Sequence, residues 1–197
     1  MFLMKMVDFS LEVELADRKK VQITSGNIFL SKLQTITVTV NCYGIMGKGI
    51  ALQAKNLFPE MFDFYSEMCK KKKMQIGKPL IYNKNVNSLM SSDKQFKSIL
   101  LFPTKIHWKM KSEIPQIEKG LQWLEKNLKK YNIESLAMPA LGCSNGGLEW
   151  KDVGPIIYRH ISNMNIPAEI YLPSQKIPAK YLTEEFLLSE PKKITDF

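Results

Sequence analysis

Cysteine and histidine are scarce in this 197-residue chain. The three cysteines, Cys42, Cys69 and Cys143, stand far apart. An odd, scattered set argues against a disulfide framework and fits a reducing, cytoplasmic compartment. The two histidines, His107 and His160, form no close pair with each other or with a cysteine, so no metal site is expected. Long apolar runs are missing as well. None approaches the roughly 18 residues that a membrane span needs, and no membrane partner is expected. Met1 to Met6 is too short for a signal peptide and has no small-residue cleavage site. Acidic residues are outnumbered, 19 against 28 basic ones, leaving a formal net charge of +9. Part of that excess sits in the run Lys70 to Lys73. It reads either as a solvated helix end, where cations are favoured, or as a patch that attracts phosphate-bearing ligands or nucleic acid.

What remains is the composition of one globular domain: just under half the residues are apolar and about a quarter are charged. "LEVEL" (11–15) and "VQI" (21–23) alternate apolar and polar residues and predict a hairpin at one edge of a sheet. "ITVTV" (36–40) is β-branched almost throughout and predicts a buried strand. Helices are expected from Lys48 to Leu57 and, with Pro59 in its first turn, to about Lys71. "PLIY" (79–82) and "SILLFP" (98–103) read as strands around a polar loop. Ser112 is the expected N-cap of a helix whose Ile114, Ile117, Leu121, Leu124 and Leu128 make one apolar face. "ESLAMP" (134–139), a helix from Lys151 to about Met164, the strand "AEIYL" (168–172) and a last helix in "AKYLTEEFLLS" complete the chain. Strands alternating with helices predict an α/β layered domain with a mostly parallel sheet.

Two glycine loops leave the carboxyl ends of predicted strands, where such sheets bind ligands. One is "NCYGIMGKG", the other "LGCSNGG". Strand, glycines and a helix N-terminus together can hold phosphate, because glycine lets the backbone approach and free amides favour an anion. "GIMGKG" is neither G-x-G-x-x-G nor a Walker loop, which argues against an ordinary nucleotide hydrolase. A pair of loops can clamp a diphosphate from both sides.

"VNCYGIMGKGIALQAKNLFP", "FPTKIHW" and "PALGCSNGGLEW", in this order, resemble the macrodomain family. More narrowly they resemble the branch of the ADP-ribosyl-glutamate hydrolases and the antitoxins that remove ADP-ribose from DNA. The resemblance implies a three-layer α/β/α fold with a mixed, largely parallel sheet. It places the macrodomain at residues 1–173, hairpin included, with 174–197 an extension packed on it. It also implies an ADP-ribose cleft, with no cofactor besides ADP-ribose as ligand or product. By position, Asn27 and Ile28 of "SGNIF" would lie beside the adenine and Asn41 near the distal ribose. Gly44, Ile45, Met46, Gly47, Lys48 and Gly49 would form the first phosphate loop. Gly142, Cys143, Ser144, Asn145, Gly146, Gly147 and Leu148 would form the second.

The resemblance makes Lys105 of "FPTKIHW" the catalytic residue, a nucleophile toward C1″ of the distal ribose. A lysine serves so only if burial or a nearby cation lowers its pKa. His107 and Trp108 would contact the distal ribose or the target. Gly146 holds the place of an acidic residue in the glutamate-specific hydrolases, and "NGGL" is what the DNA-directed antitoxins carry there. The expected activity is metal-independent removal of mono-ADP-ribose from a carboxylate ester on protein, a small ester, or thymidine in DNA. The partners would be ADP-ribosylated protein or DNA, with the chain a monomer. Antitoxins of this kind carry a further domain that grips a toxin, and this chain is too short for one, so a stand-alone hydrolase or a piece of a longer protein is expected. The rival readings are a non-catalytic ADP-ribose reader and, from charge alone, a plain nucleic-acid-binding protein.

Overall fold

The computed structural model describes residues 21–83 and 96–189. They form a six-stranded sheet: β1 (Val21–Thr24), β2 (Thr35–Asn41), β3 (Leu80–Asn83), β4 (Ser98–Lys105), β5 (Leu136–Pro139) and β6 (Ala168–Tyr171). Its order is β1-β6-β5-β2-β4-β3. All neighbours run parallel except β3, which lies antiparallel on β4 at one edge. Consequently β5, β2 and β4 lie side by side with their carboxyl ends at the same edge. The two glycine loops and Lys105 leave those ends.

Among the described residues five helices cover the sheet: α1 (Gly49–Leu57), α2 (Pro59–Lys70), α3 (Ile114–Asn127), α4 (Trp150–Asn163) and α5 (Glu184–Leu188). Strand alternation divides the core in two. Ile36, Val38 and Val40 of β2 join Ile99 and Leu101 of β4 against Met61 and Tyr65 of α2. Leu100 and Phe102 of β4, with Leu136 and Met138 of β5, meet α3 and α4 on the other face. The apolar stripe predicted for α3 is buried there through Ile117, Leu121 and Leu124. A Cβ on Gly120 would lie 2.4 Å from the Phe102 ring, so this helix sits directly on β4.

Four expectations change or fall outside the described residues. Glu113, not Ser112, occupies the N-cap of α3 and makes no side-chain cap bond. Ser112 is drawn away because its backbone N–H donates to Gly146 O at 2.8 Å, tying the helix start to the second glycine loop. β1 takes β6 as its parallel neighbour, and its expected hairpin partner lies outside the described residues. Of the polar loop before β4, residues 84–95 also lie outside them. The predicted last helix is a short turn at Ala179–Tyr181 followed by α5, capped by Thr183 Oγ1, which accepts from Phe186 N. Leu187 is buried, and Trp150 Nε1 donates to Tyr181 O at 2.9 Å, which joins this segment to α4.

Candidate functional site

A cleft of ≈ 990 Å³ opens at the carboxyl edge of the sheet. Asn41 builds its first wall. Its Oδ1 accepts from the backbone N–H groups of Tyr43 (2.9 Å) and Gly44 (3.2 Å), and its Nδ2 donates to Ile45 O at 2.6 Å. Tyr65 OH from α2 donates to Asn41 O at 2.8 Å. One short amide therefore replaces the strand ladder where β2 ends and curls the chain into the loop. Met46 turns inward and is 3% exposed, Gly44 backs onto Cys69, and Ile45, Gly47, Lys48 and Gly49 line the cleft. Gly49 opens α1, so the free N–H groups of that helix face the cavity.

The second wall leaves β5. Gly142, Cys143, Ser144, Asn145 and Gly146 line the cleft, whereas Gly147 rests on the Lys111 stem and Leu148 packs under Gly142. Leu148 N donates to Gly142 O at 3.0 Å, closing the loop on itself. A Cβ on Gly146 would stand 2.6 Å from Ser112 Oγ. An acidic side chain has no room at Gly146 unless Ser112 and the start of α3 retreat. The Cys143 thiol is pushed up to about 12, by burial first and by Asp152 second, and stays protonated.

The two walls meet. A Cβ on Gly49 would lie 2.9 Å from Asn145 Nδ2. Lys105 links them from the end of β4: its carbonyl accepts from Cys42 N at 3.1 Å, and its Nζ donates to Asn145 O at 2.7 Å. Burial lowers the Lys105 pKa below the ordinary lysine value. Three lysines, Lys48, Lys105 and Lys109, line the cleft, and no Asp or Glu does among the described residues. Such a lining has the charge to suit an anion.

At the far end Asn27 caps the short turn Ile28–Leu30, its Oδ1 accepting from Phe29 N at 3.0 Å, and both Asn27 and Ile28 line the cavity. Trp108 lines it too, but His107 does not; its ring packs between Tyr43 and Trp108. Sequence reasoning missed Thr39, Thr104, Pro139, Ala140, Tyr171 and Leu172, all lining residues at strand carboxyl ends. The rule that such sheets bind beyond those ends was the signal that could have found them. Tyr171 is held by Glu169 Oε2, which accepts from Tyr171 OH at 2.9 Å and from Ser31 Oγ at 2.7 Å. The run Lys70 to Lys73 does not line the cleft; it ends α2, where Lys71 pairs with Glu67.

Comparisons with known proteins point to one family. A family model described as Macro domain matches residues 38–157. The chain is 44% identical over 180 residues to a "DNA ADP-ribosyl transferase-DNA ADP-ribosyl glycohydrolase fusion protein" of Thermosipho africanus, a match covering 86% of this chain and 46% of that protein. Among solved structures it is similar to Thermosipho africanus DarTG in complex with ADP-ribose, with a TM-score of 0.80 at 45% identity over 86% of this chain and 46% of that one. It is also similar to the macrodomain of Mycobacterium tuberculosis DarG, with a TM-score of 0.72 at 38% identity over 78% of this chain and 98% of that one. The chain spans less than half the length of the curated relatives it matches. The three-layer fold with its largely parallel mixed sheet is the one the sequence resemblance implied.

Proposed function

Because this chain belongs to the Macro domain family, we propose that it is an ADP-ribosyl glycohydrolase that removes mono-ADP-ribose from thymidine in DNA, with Lys105 as nucleophile. One observation carries the reading: Lys105 accepts from Cys42 N of the first glycine loop through its carbonyl and donates from Nζ to the carbonyl of Asn145 in the second at 2.7 Å, in a cleft whose described lining holds three lysines and no carboxylate. The diphosphate of ADP-ribose would take the loop amides and the N-terminus of α1. Asn27 and Ile28 would lie beside the adenine, and the distal ribose would reach Lys105.

The chemistry follows from the amine. Its neutral form attacks C1″; a C–N bond forms as the bond from C1″ to the base breaks, and the base leaves with the electron pair. Lys105 loses a proton and the departing base gains one from water. Water then adds at C1″ and gives one proton to the Lys105 nitrogen as the C–N bond breaks, so that the free amine is restored and ADP-ribose leaves with the hydroxyl. Burial assists the first step, since it raises the fraction of neutral amine. DNA is preferred over a carboxylate ester on two grounds. The relatives above carry names that specify DNA. And Gly146, where a Cβ would stand 2.6 Å from Ser112 Oγ, supplies no acidic group of the kind the glutamate-specific hydrolases use.

A second reading has its own support. The bond from Lys105 Nζ to Asn145 O favours the ammonium, and a non-catalytic reader would keep it there. The test uses ADP-ribosylated thymidine DNA, ADP-ribosyl-glutamate, ADP-ribosyl-serine and O-acetyl-ADP-ribose side by side. Wild type should release ADP-ribose from the DNA, and Lys105→Ala should lose that release while keeping its affinity for free ADP-ribose. Wild type that binds ADP-ribose but releases none from any of the four is a reader.

A further inference from the structure

The described residues leave ten large apolar side chains exposed, and five of them sit on two adjoining turns at one side of the cleft: Tyr43 and Ile45 after β2, and Ile106, Trp108 and Met110 after β4. Tyr43 is 61% exposed and Trp108 44%. The two turns are held together by Cys42 N, which donates to both Lys105 O and Ile106 O. His107 stands between the two exposed rings. Its centroid lies 4.6 Å from that of Tyr43, edge-on, and 5.5 Å from that of Trp108, near parallel at 30°. Lys109 N donates to His107 Nδ1 at 3.2 Å, so the central ring is fixed to its own turn. The result is a rack of three rings that begins at the cleft wall, where Trp108 shares the lining with Lys105, and runs outward to Tyr43.

Exposed aromatic side chains of this size are costly to leave in water, and an isolated one needs no explanation. Two exposed rings joined through half-buried His107, pre-set by mutual contact and adjoining a candidate reaction site, form a contiguous surface. Its surroundings say what covers it. Lys109 Nζ lies 5.1 Å over the Trp108 ring, and Lys111 follows two residues on. Neither lysine has a carboxylate partner among the described residues. Exposed ring surface on Tyr43 and Trp108 beside cations with no carboxylate partner among the described residues matches a strand of alternating bases and phosphates.

We propose that the Tyr43–His107–Trp108 rack is a stacking platform for the unpaired bases next to the modified nucleotide, with Lys109 and Lys111 on the intervening phosphates. The proposal rests on the DNA reading above and extends it from the ADP-ribose cleft to the strand that carries the ADP-ribose. It requires single-stranded DNA. A base paired in a duplex has both faces covered by its neighbours, and a thymidine in a duplex cannot bring its glycosylated atom to Lys105 without leaving the stack. Specificity for a strand over a free nucleoside then arises at the mouth of the cleft, where Trp108 and Lys109 line it, and beyond it, on Tyr43, His107 and Lys111.

Two measurements test the platform independently of catalysis. The first is binding of an unmodified single-stranded oligonucleotide, followed by fluorescence anisotropy. Tyr43→Ala should weaken it roughly 10- to 100-fold, the loss of about one stacked base. Tyr43→Phe, which keeps the ring, should bind like wild type, and so should Tyr131→Ala, a surface aromatic at the amino end of β5. Replacing Lys109 and Lys111 together by alanine should flatten the salt dependence of log K by about 1.4, two phosphate contacts on a single strand. The second measurement compares turnover of an ADP-ribosylated oligonucleotide with turnover of ADP-ribosyl-thymidine. Tyr43→Ala should raise KM for the oligonucleotide and leave the nucleoside unaffected. The proposal is overturned if wild type binds duplex as well as single strand, or if Tyr43→Ala equals wild type on the oligonucleotide. A protein that binds the strand through these rings yet releases no ADP-ribose would overturn the glycohydrolase reading and leave the platform standing.

Discussion

Replacing Gly49 by alanine tests whether the two glycine loops work as one clamp. Gly49 has φ +56°, in the left-handed region, and a Cβ there would sit 2.9 Å from Asn145 Nδ2. The backbone conformation alone costs about 1–2 kcal/mol for a residue with a Cβ. The clash adds less to stability, because the Asn145 amide can swing away. Its consequence is functional: the carbonyl of the same residue holds Lys105 Nζ at 2.7 Å. At about 2–4 °C per kcal/mol for a domain of this size, Tm should fall by about 2–8 °C. Turning the first N–H of α1 away from the cavity would remove one hydrogen bond to a charged group, about 1.5–3 kcal/mol. ADP-ribose affinity should therefore drop roughly 10- to 100-fold. Differential scanning fluorimetry and calorimetric titration with ADP-ribose read both quantities. Gly47→Ala is the control for stability. Its φ is outside the left-handed region and a Cβ would meet only Ile45 Cγ2, at an ordinary 3.7 Å, so its Tm should stay close to that of wild type. A Gly49→Ala protein that melts with Gly47→Ala and binds ADP-ribose like wild type would show that the loops are not coupled through this contact.

Two other outcomes follow from the same structure. Since the neutral Lys105 amine is the proposed nucleophile and burial disfavours its ammonium, kcat/KM on ADP-ribosylated DNA should rise as pH rises through a pKa below the ordinary lysine value. A profile flat from about pH 6 to 10 would rule out an amine that must lose its proton. Thr37 is wholly buried in β2, and its Oγ1 has no hydrogen-bond partner among the described residues. Thr37→Val keeps the shape and removes the unsatisfied hydroxyl, so it should stabilise the fold by about 1–2 kcal/mol, and a lower Tm would refute that account.

The parts of this fold that follow local periodicity were legible in the sequence. The β-branched run of β2, the i, i+3, i+4 stripe of α3 and the strand–helix rhythm need only neighbours along the chain. Ser112 was misplaced for the converse reason. Its short polar side chain before an apolar stripe has the pattern of an N-cap, but a backbone bond to Gly146, 34 positions away, decides its use. Asn27 and Asn41 were read as ligand contacts from their place in motifs. Their side-chain oxygens turn out to be engaged by the backbone of their own turns, so each shapes the cleft wall at least as directly as it faces the cavity. That engagement is a three-dimensional choice between donors, and residue type alone does not express it.

The sharper limit concerns strand order. Gly49, Asn145 and Lys105 converge because β5, β2 and β4 are neighbours, and the sequence order of those strands is β2, β4, β5. No periodicity carries that information; it arises from pairing over distances of sixty residues and more. Motif resemblance supplied it indirectly, by borrowing the arrangement of a fold in which the same three segments meet. The ring platform shows where that borrowing stops. "CYG" and "KIHWK" were both in view as sequence, and Trp108 was already a candidate for a base contact. Only the pairing of β2 with β4, which sets Asn41 beside Lys105, brings Tyr43 against His107 and turns scattered aromatics into a surface. Tyr43, 68 positions before Lys111, thus belongs with it to the one proposed strand-binding face, a juxtaposition that the chain acquires only on folding.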